Sequence, residues 1–122
     1  MSTGTNTSIG PINIQKAGVN MTSEQIAATI KQRRLQLLVH SCIYYEFNQS
    51  IVDDVTWVKW AIELEQLQTA YPAIADKVEW AEAFKDFDHS TGYNLPVRNP
   101  WVMRKARQIM IWHERMNNND KM

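Results

Sequence analysis

The stretch that decides the fold runs from His40 to Pro72 and reads HSCIYYEFNQSIVDDVTWVKWAIELEQLQTAYP. Asn48-Gln49-Ser50 in its middle is turn-forming, and either Asp53 or Asp54 can cap the helix that follows. Beyond the turn, apolar residues recur at helical spacing up to the proline, and they are Trp57, Trp60, Ala61, Leu64, Leu67 and Tyr71. The stretch therefore predicts the end of one helix, a short turn and a second helix, which together form a helical hairpin.

The helix that precedes the turn has a clear start signal. Thr22-Ser23-Glu24-Gln25 has the pattern of a capping box, in which two side chains satisfy backbone N–H groups of the first helical turn. The helix is predicted to end near Phe47, where the turn residues begin. Its inward stripe is predicted to contain Ile26, Ile30, Leu35, Leu37, Leu38, Cys42 and Tyr44.

Two further helices are predicted after the hairpin. The segment from Ala73 to about Lys85 has helical periodicity, with Ile74, Val78, Ala81 and Phe84 facing inward. A loop follows over 86–98, and Asn99-Pro100 then marks the start of a last helix that extends to about Met116. The inward stripe of that helix is predicted to be Val102, Ala106, Ile109 and Trp112 or His113. The fold class is therefore all-α, a helical hairpin plus two packed helices.

The chain is predicted to form a single domain over residues 22–116. Residues 1–21 are rich in Gly, Ser, Thr and Asn and carry one charge, Lys16, so they are predicted to form an irregular arm that is flexible or docks on a partner. Residues 117–122 begin with three asparagines and are predicted to be a frayed tail.

The composition excludes several classes of protein. Of the 122 residues, 44% are hydrophobic and 21% are charged, as in ordinary globular proteins, and 13 basic residues balance 13 acidic ones. A neutral chain is not attracted as a whole to nucleic acid or to an anionic membrane. The single cysteine, Cys42, excludes an intramolecular disulfide. Neither a signal peptide nor an apolar run of roughly 18 residues is present, and the expected location is the cytoplasm.

The His40 to Pro72 stretch resembles the N-terminal, nicotinamide-mononucleotide-recognition domain of NAD-dependent DNA ligases. In that family an aromatic Tyr-His pair ends one helix, an Asp opens the next, and a Tyr and an Asp follow within a turn. The match needs no gap: Tyr44 and Tyr45 fall on the aromatic pair, Asp54 on the helix-opening Asp, and Trp57 on the family Tyr. The resemblance implies that these four residues contact the nicotinamide ring and the ribose of an NAD-related nucleotide.

The chain departs from the family pattern at two positions of this stretch. Tyr45 stands where the family has His, and Val58 stands where it has the second carboxylate. These changes keep the aromatic slot and weaken the polar contacts. The adenylylation motif of the ligases, Lys-x-Asp-Gly, is absent from the 122 residues, so the covalent nucleophile of the ligase reaction is missing. Standalone domains of this kind resemble products of bacteriophage genomes.

The same residues suggest a binding site on physical grounds alone. Tyr44, Tyr45 and Trp57 surround one helix–turn–helix corner, where rings can stack on a flat pyridinium. The carboxylate of Asp54 can accept hydrogen bonds from ribose hydroxyls. The alternative is that Trp57 belongs to the core and that Asp54 is only a helix cap.

Two further segments are candidate phosphate sites. Ser90, Thr91 and Gly92 can present hydroxyls and backbone N–H groups to an anion, although an ordinary turn between helices explains them as well. The last helix is basic, and its Arg104 and Arg107 can pair with a nucleotide phosphate. A solvated basic face is the alternative for this helix, and nucleic acid is not the expected partner because the domain is not basic overall.

Neither a metal centre nor a catalytic constellation is predicted. Asp86, Asp88 and His89 are too few for a convincing metal site, and His89 beside Ser90 has no third orienting group. No cofactor is expected beyond a nucleotide ligand. The sequence therefore predicts a non-catalytic module that binds an NMN-, NAD- or ADP-ribose-type ligand, for example a phage protein that sequesters an NAD-derived defence signal. The alternative is a protein-interaction module, with a host or phage protein or a second copy as partner, that kept the fold without the pocket.

Overall fold

The computed structural model of the chain describes residues 21–90, 92 and 94–120. This part contains four α-helices and no strand: α1 (Ser23–Phe47), α2 (Asp54–Ala70), α3 (Pro72–Lys77) and α4 (Pro100–Asp120). The predicted all-α class is confirmed. The arm predicted over residues 1–21 lies outside the described residues, apart from Met21, which packs against the core.

Helix α1 begins and ends where its sequence signals indicate. The Gln25 side chain accepts the N–H of Thr22 at 2.8 Å, and the Thr22 hydroxyl accepts the N–H of Gln25 at 3.1 Å, which completes the predicted capping box. At the other end Asn48 adopts a left-handed conformation, with φ of 56°, and its N–H returns to the carbonyl of Ile43. Asparagine tolerates this conformation better than most residues, which explains why α1 stops there.

The start of α2 distinguishes the two candidate capping residues. The Asp53 carboxylate accepts the backbone N–H of Thr56 at 2.8 Å and is the N-cap. Asp54 is the first residue of the helix and is exposed. The capping role therefore belongs to Asp53, and the Asp54 carboxylate is left for another role.

Helix α1 is the centre of the fold. It contacts each of the other three helices, whereas α4 packs against α1 alone among the helices. Each fully buried Leu or Ile side chain contributes roughly 2 kcal/mol through removal of apolar area from water. The hydrophobic core draws buried side chains from every part of the fold. They include Ile30, Leu37, Leu38, Cys42, Ala61, Leu64, Leu67, Phe84, Val102 and Ala106. Among the described helices, none combines the length and hydropathy that a membrane span requires.

The third helix is much shorter than its periodicity predicts. Helix α3 ends at Lys77 instead of near Lys85, and residues 79–86 form consecutive turns. The cause is tertiary: the buried Arg34 guanidinium of α1 donates to the carbonyl oxygens of Ala75 at 3.1 Å, Val78 at 2.9 Å and Glu79 at 3.0 Å. Trp80 then takes a left-handed φ of 72°, which no α-helix can accommodate. Phe84 is still fully buried, as predicted.

The last helix is longer than predicted, and its inward stripe follows the prediction as far as Ile109. Helix α4 continues to Asp120, past the expected end near Met116, and Asn117 contacts His113 across one turn at 3.2 Å. Part of the predicted tail is therefore helical. Val102 and Ala106 are buried and Ile109 packs against the core, as expected. Of the two alternatives for the last position of the stripe, Trp112 is 61% exposed and His113 is half-buried.

Candidate ligand-binding site

A cavity of about 320 Å³ lies at the corner between the end of α1 and the start of α2. Six residues that the sequence singled out as ligand or phosphate contacts line it together: Tyr44, Tyr45, Asp54, Trp57, Ser90 and Gly92. The helical hairpin supplies the first four, and the loop before α4 supplies the last two. The volume suits one small ring system with its substituents.

The aromatic walls of the cavity combine exposed rings with an anchored one. Tyr44 and Tyr45 meet edge to face, with ring centroids 4.9 Å apart, and are 57% and 40% exposed. Tyr44 therefore does not belong to the inward stripe of α1 on which its spacing places it. Trp57 is partly buried against the core, and its ring meets Phe87 edge-on at 6.4 Å. Two accessible rings and one fixed ring are an arrangement that can stack on a planar ligand.

The floor of the cavity is a close contact between three elements. The Trp57 indole N–H donates to the hydroxyl of Ser41 at 3.2 Å. Gly92 is buried directly against these two side chains, and an added β-carbon would meet the Ser41 hydroxyl and come within 3.0 Å of the Trp57 ring. Gly92 is therefore needed for close approach, and it fixes the loop to the hairpin.

Ser90 lines the cavity, but its hydrogen-bonding groups are already engaged. Its backbone N–H donates to the Asp88 carboxylate at 2.7 Å, and its hydroxyl donates to the same oxygen. The Ser90 hydroxyl and N–H together lower the pKa of Asp88, so this carboxylate is ionised at neutral pH. Because Ser90 already donates to the negative Asp88 carboxylate, the loop disfavours a bound phosphate. This geometry supports the interpretation of the loop as an ordinary turn. Thr91 lies outside the described residues.

The two candidate phosphate-binding arginines of α4 do not line the cavity. The Arg107 guanidinium lies over the ring of Phe47, 5.4 Å from its centroid, and Arg104 is exposed. Arg98, in the loop before α4, pairs with Glu46 at 3.1 Å. The described lining residues include neither lysine nor arginine. Among the described residues, the cavity therefore has no cation with which to bind a phosphate.

One lining residue that the sequence did not single out is His40. Its ring packs on Trp60, with centroids 5.6 Å apart, and its Nδ1 atom is buried without a hydrogen-bond partner. Burial lowers the pKa of His40, so the imidazole is neutral at pH 7. No spacing rule distinguishes this histidine from a core residue. Only the tertiary arrangement shows that it faces a cavity.

The charged groups near the loop form pairs instead of a metal centre. Glu65 accepts the backbone N–H of His89 at 2.9 Å and contacts its ring nitrogen at 3.0 Å. Asp88 is engaged by Ser90, as described above. Within residues 21–90, 92 and 94–120, no three His, Cys, Asp or Glu side chains are grouped to hold a metal ion.

The cavity thus combines aromatic walls, one exposed carboxylate at Asp54 and a neutral imidazole at His40. The same carboxylate attracts a cationic ring and accepts hydrogen bonds from hydroxyl groups. The chain matches no family model, no curated protein and no solved structure.

Proposed function

We propose that this protein is a non-catalytic binding module for an NAD-related nucleotide, which it grips by the nicotinamide–ribose end. The observation that carries the proposal is the joint lining of one cavity by Tyr44, Tyr45, Trp57 and Asp54. The rings stack on the pyridinium, with about 0.5–2 kcal/mol from each cation–π contact. The Asp54 carboxylate accepts hydrogen bonds from the ribose hydroxyls.

The electrostatics of the cavity decide which part of the nucleotide enters. The lining that the structure describes has a carboxylate and no basic side chain, so the positive nicotinamide is favoured and phosphates stay at the mouth. Ligands that carry the oxidised nicotinamide, such as NMN and NAD, should therefore bind more tightly than ADP-ribose. The exposed Tyr44 and Tyr45 leave the mouth open to solvent.

Binding without turnover fits the chemical groups of the site. No lysine is present among the described residues that line the cavity, and the sequence has no Lys-x-Asp-Gly motif whose amine could attack a phosphate. A module of this kind acts by lowering the free concentration of its ligand. Sequestration of an NAD-derived signal by a phage-encoded protein is the role that we propose for it.

The test is isothermal titration calorimetry with NMN, NAD, ADP-ribose and cyclic ADP-ribose. We expect micromolar binding of NMN and NAD by the wild-type protein and a loss of about tenfold in Tyr44→Ala, which removes one stacking contact. Trp112→Ala is the matched control, because Tyr44 and Trp112 are both exposed aromatic residues, 57% and 61%, and Trp112 does not line the cavity. The absence of binding heat with all four ligands would overturn the proposal.

A second candidate function, self-association, is favoured by the outer face of α4. Ile111, Trp112 and Met116 are exposed there, next to a basic set made of Arg104, Lys105, Arg107 and Arg115. Acidic residues outnumber basic ones over 53–88, so a second copy of the chain offers the opposite charge. Light scattering after size-exclusion chromatography tests this candidate. A dimer that Arg115→Glu dissociates supports it, and a monomer at all concentrations contradicts it.

A further inference from the structure

Three carboxylates lie in or directly beside the lining of the cavity. Asp54 lines it, and Asp53 precedes Asp54 in the chain. Asp88 accepts two hydrogen bonds from Ser90, another lining residue. Hydrogen bonds lower the pKa of Asp53 and of Asp88, so both are ionised at neutral pH. The cavity is therefore surrounded by negative charge.

Positive side chains do not balance these carboxylates within the described lining. His40 lines the cavity, but burial lowers its pKa, so the imidazole is neutral at pH 7. The nearby Arg98 and Arg107 make their contacts with residues outside the lining. Two loop residues fall outside the described part of the chain, and as Thr91 and Tyr93 neither is a cation. A phosphate in the cavity would find negative groups without a described basic partner.

The N-terminus of α2 borders the cavity, and a helix N-terminus can attract a phosphate. Here protein carboxylates already occupy that position. Asp53 accepts the N–H of Thr56 at 2.8 Å, and Asp54 is the acidic residue of the first turn. Both carboxylates offset the partial positive charge of the helix end. The helix end therefore adds little attraction for a second anion.

We propose that the preferred ligand of the cavity is a pyridinium nucleoside, which is a cationic ring on a sugar without a phosphate. This inference rests on the proposed binding of the nicotinamide–ribose end, and it narrows the class of ligand. The ring can make the same contacts with Tyr44, Trp57 and Asp54 in a nucleoside and in a nucleotide. A phosphate adds only repulsion from the carboxylates, so it weakens binding.

The experiment compares nicotinamide riboside with NMN, which differ by the phosphate group alone. Calorimetry with the full chain should give about tenfold tighter binding of the riboside at an ionic strength of about 50 mM. The preference should shrink to about twofold at about 1 M salt, because salt screens the repulsion between exposed charges. Equal affinities at low salt, or tighter binding of NMN, would overturn the inference.

A first variant tests the carboxylate in the lining. Asp54→Asn should reduce the preference to about a third, because it removes attraction for the ring in both ligands and repulsion of the phosphate in NMN alone. Glu24→Gln is the matched control, since it removes the same charge from the other end of α1, about 30 Å along the helix from Tyr44. A full preference in Asp54→Asn would refute the electrostatic cause.

A second variant adds the missing cation. Ser50 is exposed and lines the cavity, so a lysine at this position need not be buried. Ser50→Lys should strengthen NMN binding, weaken riboside binding and so reverse the preference. Ala28→Lys adds the same charge at an exposed position of α1 about 24 Å from Tyr44, and should leave the preference unchanged. An unchanged preference in Ser50→Lys, with wild-type circular dichroism, would contradict the inference.

The failure of this inference differs from the failure of the proposed function. If NMN binds and is preferred over the riboside, the nucleotide-binding function stands and the preference for a nucleoside is wrong. If neither ligand binds, the proposed function fails, and the inference that rests on it fails as well. Binding of the riboside with NMN too weak to detect would support the inference.

Discussion

Arg34 and His40 are polar residues of the same helix, and their surroundings are opposite. Arg34 is 2% exposed, and its guanidinium makes five hydrogen bonds, to Gln68 and to three backbone carbonyls. His40 has a buried nitrogen with no partner. The fold thus supplies every hydrogen-bond partner of the Arg34 guanidinium. We name this region the Arg34 cluster, and it consists of Arg34, Gln68, Ala75, Val78, Glu79 and Phe84. In the cavity region, a polar nitrogen of the lining residue His40 has no partner among the described residues.

The Arg34 cluster should show the largest effect on stability. Arg34→Met removes the donor that the carbonyls of Ala75, Val78 and Glu79 share, and we expect a loss of about 3–5 kcal/mol in the free energy of unfolding. Arg33→Met is the matched control, because its bond to Glu63 at 2.6 Å is partly exposed and is worth about 1 kcal/mol or less. Urea unfolding measures both. Equal losses in the two variants would refute the central role of Arg34.

The floor of the cavity should show the next largest effect. Gly92→Ala forces a methyl group against Ser41 and the Trp57 ring, and overpacking of this kind costs about 1–3 kcal/mol. The double variant Gly92→Ala, Ser41→Ala should recover part of the loss, because the Ser41 hydroxyl is the nearest atom. Thermal unfolding of the single and double variants checks this. If the two single losses simply add, the contact is not as described.

The adjacent carboxylates Asp53 and Asp54 have separate roles, one in the fold and one in the candidate site. Asp54→Asn should weaken NMN binding by about fivefold, near 1 kcal/mol for a water-exposed charge pair, with little change in stability. Asp53→Ala should lower stability without a comparable effect on binding, because alanine has no side-chain oxygen to accept the N–H of Thr56 and cap α2. Calorimetry and urea unfolding of both variants are the measurements. A reversed pattern would mean that the structural role belongs to Asp54.

The smallest expected effect is a pH dependence of stability. Hydrogen bonds from Thr56 lower the pKa of Asp53, and those from Ser90 lower the pKa of Asp88. A carboxyl group with a lowered pKa in the folded state stabilises the protein above its unfolded pKa, and this contribution is lost as the pH falls through the folded value. Stability should therefore decline below about pH 4, and Asp53→Asn should make the decline shallower. An unchanged slope in unfolding measurements would contradict the capping assignment.

Much of the helical framework could be predicted from the sequence, because local signals determine it. The capping box at Thr22 and the turn after Phe47 act within a few residues, and the structure confirms both. The extent of α3 could not be predicted in this way. Its periodicity continues to Lys85, but Arg34 takes the carbonyls that would continue the helix, and Arg34 is distant in the chain.

The residues of the candidate site were likewise predictable only in part. The spacing of Tyr44, Tyr45, Asp54 and Trp57 around a short turn was enough to predict that they share one corner, and all four line the cavity. Arg104 and Arg107 were singled out by charge alone, and charge along a helix does not reveal which face is near the site. His40 was missed because an unpaired atom has no signature in the sequence.

The sequence by itself therefore determined the all-α class, the helical hairpin and the aromatic corner, because caps, turns and helical periodicity act over short separations. The tertiary structure alone decided where α3 ends, which aspartate caps α2, and which polar atoms are satisfied. The physical reason is that hydrogen bonds of buried groups depend on partners far away in the chain, such as Arg34 with Glu79 or Trp57 with Ser41, and only packing brings them together.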